Sequence, residues 1–171
     1  MEKITITKTY EVYKYSELSK EIQEKLLEKE IDYCVESYCE CCLYEDMLDY
    51  AGQLLEKYFG QKAKINKVWY DLSYCQGSGA MIEFDIDYYN CSLTIKQNGH
   101  YYHAHSFIIE ENGDKYLSDN RYKYLHDKIV DMNYELSKYG YNLIDWKNFT
   151  EQAKEQLEEN EYLENGEIFN N

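Results

Sequence analysis

The sequence predicts an α+β fold: an antiparallel sheet of about four to five strands, arranged as a meander and packed with about four helices. Three observations predict it. Stretches in which apolar and polar residues alternate, as in a strand with one buried face, follow one another through the middle of the chain. Stretches with apolar residues every three or four positions, as in amphipathic helices, lie on both sides of them. Strands and helices that occur in separate runs are typical of α+β proteins.

The first third of the chain predicts one strand and two helical stretches. Residues 4–14 alternate in the manner of a strand. Ser16 is suited to cap a helix whose apolar stripe contains Leu18, Ile22 and Leu26. A second helical stretch runs from about 31 to 59 and ends at Gly60. The Ser, Cys and Tyr residues at 37–44 are poor helix formers, which leaves a break within this stretch open.

The middle of the chain predicts the rest of the sheet, and two helices follow it. The expected strands cover residues 65–74, 80–89, 91–97 and 101–110. The first two are joined by a turn at Gln76, Gly77 and Gly79, where the glycines supply positive φ angles. Asn98 and Gly99 predict a tight hairpin between the last two strands. The two helices are expected at about 120–139 and 147–162.

Composition predicts a single acidic domain over residues 1–171. Hydrophobic residues make up 44% of the chain and aromatic residues 16%, which is enough to build a core. No apolar stretch is long enough to span a membrane, and the N-terminus does not resemble a signal peptide. We therefore expect the protein in the cytoplasm of a host cell, with its six cysteines as free thiols.

The charge of the chain limits the kinds of partner that it can bind. The 33 acidic and 18 basic residues give a formal net charge of -15. This balance argues against direct binding to nucleic acid and against anionic membranes, because both repel an acidic protein. A macromolecular partner should be basic, while solubility alone is the alternative explanation of the charge.

Several residue groups invite a catalytic or metal-binding interpretation. His103 and His105 would share one face of the strand at 101–110 and could chelate a metal, but no third ligand accompanies them. The cysteines at 34, 39, 41 and 42 do not have the spacing of a zinc site and are expected to be buried thiols. The glycine turn precedes a strand, whereas phosphate-binding loops precede a helix. We predict no catalytic residue, no cofactor and no metal, and we keep His103 and His105 as candidate ligands.

Three segments of the chain resemble a family of uncharacterised phage and prophage proteins. Residues 13–25 (YKYSELSKEIQEK) are similar to the family's opening, a strand followed by Glu-Leu-Ser and a helix. Residues 72–80 (LSYCQGSGA) are similar to its second landmark, S-x-Q-G-D-G-A, with Ser78 in place of the usual aspartate. Residues 160–167 (NEYLENGE) are similar to the family's tail. The resemblance implies a small phage-type accessory protein and carries no activity.

These observations lead to one main hypothesis and two alternatives. An acidic helical surface could occupy a groove that normally holds nucleic acid, so we expect an inhibitor of a basic host protein, most simply a defence nuclease such as a CRISPR effector. The first alternative is a metal-dependent enzyme or sensor that uses the histidine strand. The second is an antitoxin-like or structural protein, and a homodimer also stays open.

The residues predicted to contact the partner are acids and tyrosines of the helical segments. The acids are Asp32, Glu36, Glu40, Glu45, Asp46, Asp49, Glu151, Glu155, Glu158 and Glu159, and the tyrosines are Tyr33, Tyr38 and Tyr44.

Overall fold

The computed structural model describes residues 9–169, and within them the predicted α+β meander is confirmed. The four α-helices are α1 (Lys20–Cys41), α2 (Leu43–Phe59), α3 (Asp119–Leu143) and α4 (Thr150–Glu158). The four strands are β1 (Ala63–Asp71), β2 (Gly79–Tyr88), β3 (Cys91–Gln97) and β4 (Phe107–Asn112), and they pair antiparallel in chain order. No helix in this range is both long and apolar enough to cross a membrane.

The contacts of the chain divide it into two compact units. Unit 1 contains Met1–Tyr38 and Asp145–Asn171, and unit 2 contains Cys39–Ile144. Unit 2 therefore holds the whole sheet with α2 and α3, while unit 1 holds α4 and most of α1. The prediction of one domain over residues 1–171 stays a prediction.

The core of unit 2 lies between the sheet and helices α2 and α3. Helix α3 packs on β2, and α2 packs on β1 and α3. The buried side chains of the sheet face come from alternating positions, as predicted for β2: Val68, Ala80, Ile82, Phe84, Ile86, Leu93 and Ile95. The helices contribute Met47, Ala51, Leu54 and Leu55 from α2, and Leu125, Ile129, Met132 and Leu136 from α3. This burial explains why the apolar periods of the sequence identified these elements.

The opposite positions of the strands are largely polar and bond across the sheet. Glu83 accepts a hydrogen bond from Trp69 Nε1 at 2.7 Å, and Asp85 accepts one from Thr94 Oγ1 at 2.7 Å. Met81 is the exception, because it is an apolar residue that is fully buried at one of these positions. Its partner across the sheet is Trp69. Glu83 and Asp85 are thus held by neighbouring side chains, which gives them a structural role in the sheet.

In unit 1, α1 packs on α4 through small apolar contacts. Ile31 and Cys34 of α1 meet Phe149 and Ala153, and the Cys34 thiol lies 3.2 Å from Gln156 Oε1. A second buried cluster consists of Tyr15, Leu18, Leu157 and Tyr162. Both clusters place the polar sides of α1 and α4 in solvent, which is where most of their acids lie.

The N-terminal elements differ from the sequence prediction. Residues 4–8 of the predicted strand lie outside the described residues, and in 9–14 only Tyr13 forms a bridge, to Tyr162. Ser16 lies in a 3-10 turn, and α1 begins later, at Lys20. The prediction that Ser16 caps the helix is therefore wrong. Burial of Tyr15 and Leu18 holds this turn in place, and Gln23 Nε2 donates to the carbonyl of Leu18 at 2.8 Å.

Two further element boundaries, inside the chain, also differ from the sequence prediction. The helix predicted to start near 31 is continuous with the one before it, and the break falls at Cys42, inside the 37–44 window that the sequence left open. The predicted hairpin at Asn98-Gly99 is wrong, because the pairing of Gln97 with Phe107 leaves a connection of residues 98–106. This longer loop is held by Gln97 Nε2, which donates to the carbonyl of Gly99 at 2.6 Å.

Candidate functional site

Four carboxylates form a regular row on the part of α1 that belongs to unit 1. Glu24, Glu28, Asp32 and Glu36 are all exposed and follow one another at intervals of four residues. Each interval advances about 6 Å along the helix and turns about 40° around it. Within the described residues none of the four takes part in an ion pair or a hydrogen bond. We call this row the acidic stripe.

The predicted tyrosine anchors have different environments. Tyr33 of α1 is 63% exposed and Tyr44 of α2 is 40% exposed. Tyr38 instead packs its ring against Phe149 of unit 1, with centroids 5.6 Å apart. Tyr33 is therefore the most accessible of the three for an intermolecular contact.

The remaining predicted acids lie on three helices. On α4, Glu151 pairs with Lys154 at 2.9 Å and Glu158 accepts from Ser16 Oγ at 3.3 Å. Glu155 and Glu159 are exposed in the same unit. In unit 2, Glu40 lies at the end of α1, and Glu45, Asp46 and Asp49 lie in the first half of α2. The acidic stripe extends its four-residue spacing over four exposed carboxylates, whereas Glu45 with Asp49 and Glu155 with Glu159 form pairs at the same spacing.

The predicted glycine turn has the expected backbone. Gly77 and Gly79 have φ angles of 95° and 148°, which L-residues rarely adopt, and Gln76 is exposed. The turn also has a role that local sequence does not reveal, because it packs against the 98–106 loop. The Tyr102 backbone N–H donates to the Gly77 carbonyl at 3.0 Å, and a Cβ on Gly77 would lie 2.1 Å from Tyr101 Cδ1.

A small polar network occupies the connection between β1 and β2. Ser78 Oγ accepts the backbone N–H of Cys75 at 3.0 Å and lies 3.0 Å from the Cys75 thiol. Hydrogen bonds from the side chain and backbone of Ser73 lower the pKa of the Asp71 carboxyl. All of these bonds lie within one turn, so the network fixes the turn. Ser78 thus takes a structural part in this turn.

The two candidate metal ligands lie in a turn and not on a strand, which corrects the prediction of a strand at 101–110. Because β4 begins at Phe107, His103 and His105 belong to the 98–106 loop. The His105 backbone N–H donates to His103 Nδ1 at 3.2 Å, so this nitrogen already has a partner. Within residues 9–169, no group of three or more His, Cys, Asp or Glu side chains is arranged to hold a metal ion.

The six cysteines are free thiols, as predicted. The further expectation that the group at 34–42 is buried holds for Cys34 alone, since Cys39 is half-buried and Cys41 and Cys42 are exposed. Cys41 is the last residue of α1 and Cys42 separates it from α2, so both cysteines lie at the break between the two helices.

A groove that the sequence analysis missed lies at the other end of the unit 2 sheet. It has a volume of about 1390 Å³ and is formed by the end of α2, the β2–β3 turn, the 112–115 loop and α3. Its aromatic residues are Tyr58, Phe59, Tyr88, Tyr89 and Tyr124, and its basic residues are Lys62, Lys115 and Lys128. Asp87 and Asp114 are the acids that line it. The lining therefore has a small positive net charge in an acidic protein.

Fixed contacts hold the aromatic wall of the groove. The Tyr58 hydroxyl donates a hydrogen bond to Glu135 at 2.7 Å. Burial is the largest cause that raises the pKa of Tyr58 to about 12, and this hydrogen bond is the second largest. Lys57 holds the same carboxylate at 2.7 Å. Lys128 Nζ donates to the Tyr58 carbonyl at 2.8 Å and lies 5.2 Å from the Phe59 ring centroid.

The turn between β2 and β3 places a strained tyrosine at the rim. Tyr88 pairs with Cys91, so Tyr89 and Asn90 form a two-residue turn with φ angles of 51° and 62°. Asn tolerates this left-handed conformation, while a bulky residue such as Tyr adopts it rarely. Tyr89 is 56% exposed, and the Arg121 guanidinium lies over its ring, 4.2 Å from the ring centroid. No local pattern identifies this groove, because its residues come from four separate segments.

Comparisons with protein-family models, with curated proteins and with solved structures gave no match to this chain.

Proposed function

We propose that this protein binds and inhibits a basic, nucleic-acid-binding protein of a host cell through the acidic surface of its helices. A defence nuclease, such as a CRISPR effector, is the target class that the proposal favours. The observation that carries it is the acidic stripe: Glu24, Glu28, Asp32 and Glu36 are exposed, evenly spaced and without internal partners. A protein surface rich in Lys and Arg would neutralise such a row.

The distribution of charge between the two units supports this location. Unit 1 has 17 acidic and eight basic residues among 65, which gives -9, whereas unit 2 has 16 and ten among 106, which gives -6. The charge per residue is thus more than twice as high in unit 1. Attraction toward a basic partner would speed association most strongly at this unit.

The magnitude of the charge limits what the stripe can imitate. Helix α1 has seven acidic and three basic residues over 22 positions, or about 33 Å of length. Duplex DNA would carry roughly 19 charges over that distance, and a single strand about ten. The stripe therefore corresponds to a short piece of one strand, and the exposed ring of Tyr33 supplies an additional contact of the kind that anchors protein interfaces.

The test is capture of the partner with matched charge variants. Tagged protein is incubated with nuclease-treated lysate of a bacterial host, washed over a salt series and analysed by mass spectrometry. The stripe variant carries Glu28→Gln, Asp32→Asn and Glu36→Gln. The control variant carries Glu56→Gln, Asp127→Asn and Asp131→Asn, which change the net charge equally at exposed sites elsewhere.

The proposal expects one basic protein to be retained by the wild type and the control and released by salt. The stripe variant should bind it at least about tenfold more weakly, since three interfacial charges are lost. Nucleic acid added to the purified pair should compete with the protein. Equal retention by the stripe variant, or a captured protein that does not bind nucleic acid, would contradict the proposal.

A further inference from the structure

We infer that the groove of unit 2 is a binding site for a small ligand of the nucleotide class, in which an aromatic base is joined to phosphate. This site is separate from the acidic stripe and does not depend on the proposed function. Its elements are stacking surfaces at the rim, basic side chains beside them, and a strained residue that presents one of the rings.

The rings at the rim are available to a flat partner. Tyr89 and Tyr124 are 56% and 57% exposed, with Arg121 lying 4.2 Å from the Tyr89 ring centroid and Lys128 lying 5.5 Å from the Tyr124 ring centroid. Stacking of a base on such a ring is favourable for any base, because every base has a π face. Phe59 and Tyr88 are half-buried, and their rings pack edge to face with centroids 6.5 Å apart. They form the floor of the groove.

The groove also carries basic side chains that can pair with a phosphate group. Lys62 and Lys115 line the groove, are exposed, and form no ion pair within the described part of the chain. Lys128 is committed to the Tyr58 carbonyl and the aromatic floor, so Lys62 and Lys115 are the two free cations. These two cations supply local attraction for an anion that the net charge of -15 would otherwise repel.

The Tyr89 backbone gives independent support. A non-glycine residue in the left-handed region is usually Asn or Asp, and strain of this kind is found at functional sites. Here the strain serves to hold a large ring at the mouth of the groove, and Arg121 packs against that ring. A turn selected only for stability would carry Asn-Gly at these two positions.

Size and charge favour a free nucleotide over a long strand. The volume of about 1390 Å³ exceeds that of common small-molecule sites, which is about 300–1,000 Å³, and so accommodates a nucleotide with its phosphates. A strand that continued beyond the groove would meet the acidic surface of unit 2, which carries 16 acidic and ten basic residues. The lysines of the groove can neutralise the charge of only a few phosphates.

The experiment is calorimetric titration of the full chain at fixed ionic strength with four probes: ATP, adenosine, tripolyphosphate and a ten-nucleotide single strand. We expect saturable 1:1 binding of ATP, with adenosine and tripolyphosphate each at least about tenfold weaker, since each lacks one half of the recognition. Absence of saturable ATP binding at millimolar concentration would overturn the inference. Tighter binding of the single strand, or equal binding of tripolyphosphate, would overturn the ligand class.

Two variants locate the site and one serves as the control. Tyr124→Ala and Lys115→Gln change exposed side chains and should each weaken ATP binding about tenfold or more. Tyr33→Ala removes a similarly exposed ring from α1 and should leave the affinity unchanged. ATP binding that is insensitive to both groove variants would show that the ligand is held elsewhere.

Discussion

Tyr89 shows how two opposing effects balance at one residue. Its left-handed backbone costs about 1 kcal/mol relative to Asn, and its contact with Arg121 offsets about 0.5–1 kcal/mol of that. We therefore expect Tyr89→Asn to change the free energy of unfolding by less than about 0.5 kcal/mol in the wild-type background.

A double-mutant cycle, measured by urea unfolding, distinguishes the cost of the left-handed backbone from the stabilisation by Arg121. In an Arg121→Gln background the ring contact is absent, so Tyr89→Asn should stabilise the protein by about 1 kcal/mol. The same effect of Tyr89→Asn in both backgrounds would mean that Arg121 does not compensate the strain.

Gly77 combines a special backbone angle with a close contact. Gly77→Ala would place a Cβ 2.1 Å from the Tyr101 ring at a φ of 95°, and we expect a loss of about 2–3 kcal/mol in the free energy of unfolding. Gly99→Ala is the matched control, because Gly99 has a φ of 84° with open space around it. The control should lose only about 1 kcal/mol, and equal losses would show that the contact with Tyr101 does not matter.

At the scale of elements, Asn133 joins α3 to the sheet and to the 98–106 loop. It is fully buried, accepts from the Ile82 backbone N–H at 3.1 Å and donates to the Ala104 carbonyl at 3.2 Å. Asn133→Ala leaves both groups without this partner, and we expect a loss of about 3 kcal/mol. The exposed Asn120→Ala on the same helix should cost little.

Hydrogen exchange identifies the cause of that loss. If the mechanism is correct, the amide of Ile82 exchanges faster in Asn133→Ala while amides of β3 keep their protection. Uniformly faster exchange across the sheet would point to global loosening. Sequence analysis did not find Asn133, because a buried polar residue on a helix has no pattern of its own.

At the scale of the whole molecule, the many tyrosines predict a loss of stability in alkali. Burial is the largest cause of the raised pKa of Tyr15, Tyr58, Tyr70, Tyr88, Tyr139, Tyr141 and Tyr162, and for Tyr58 the value reaches about 12. Since the folded chain keeps these protons longer than the unfolded chain, stability is constant below about pH 10 and falls as pH rises toward 12.

Thermal unfolding between pH 8 and 11.5 measures this effect. Tyr58→Phe removes one of the contributing hydroxyls, so its melting temperature should decline less steeply above pH 10 than that of the wild type. Tyr33→Phe, at an exposed position, should follow the wild-type curve. Parallel curves for the wild type and Tyr58→Phe would contradict the assignment.

The net charge of -15 predicts a response to salt. Screening reduces repulsion among the acids, so raising NaCl from 10 mM to 0.3 M should stabilise the protein by about 1 kcal/mol, or about 2–4 °C in melting temperature. The stripe variant defined above should gain less. A melting temperature that falls with salt would mean that the surface ion pairs outweigh the repulsion.

The sequence by itself determined the α+β class, the antiparallel meander, the amphipathic helices and the concentration of acids on α1, α2 and α4. These follow from the periods of three to four and of two residues, because each element buries one face against a neighbour. The glycine turn was also predictable, since only glycine accepts such φ angles freely.

Tertiary structure decided the properties that depend on distant segments. The turn around Ser16 is set by packing of Tyr15 and Leu18 against Leu157 and Tyr162, and the start of β4 is set by the pairing of Phe107 with Gln97. The sequence left a break within 37–44 open, and the structure places it at Cys42. The groove depends in the same way on four separate segments, among them the Tyr89 turn and Lys115. A sequence fixes local periods directly, but it brings basic and aromatic side chains together only through the folded chain.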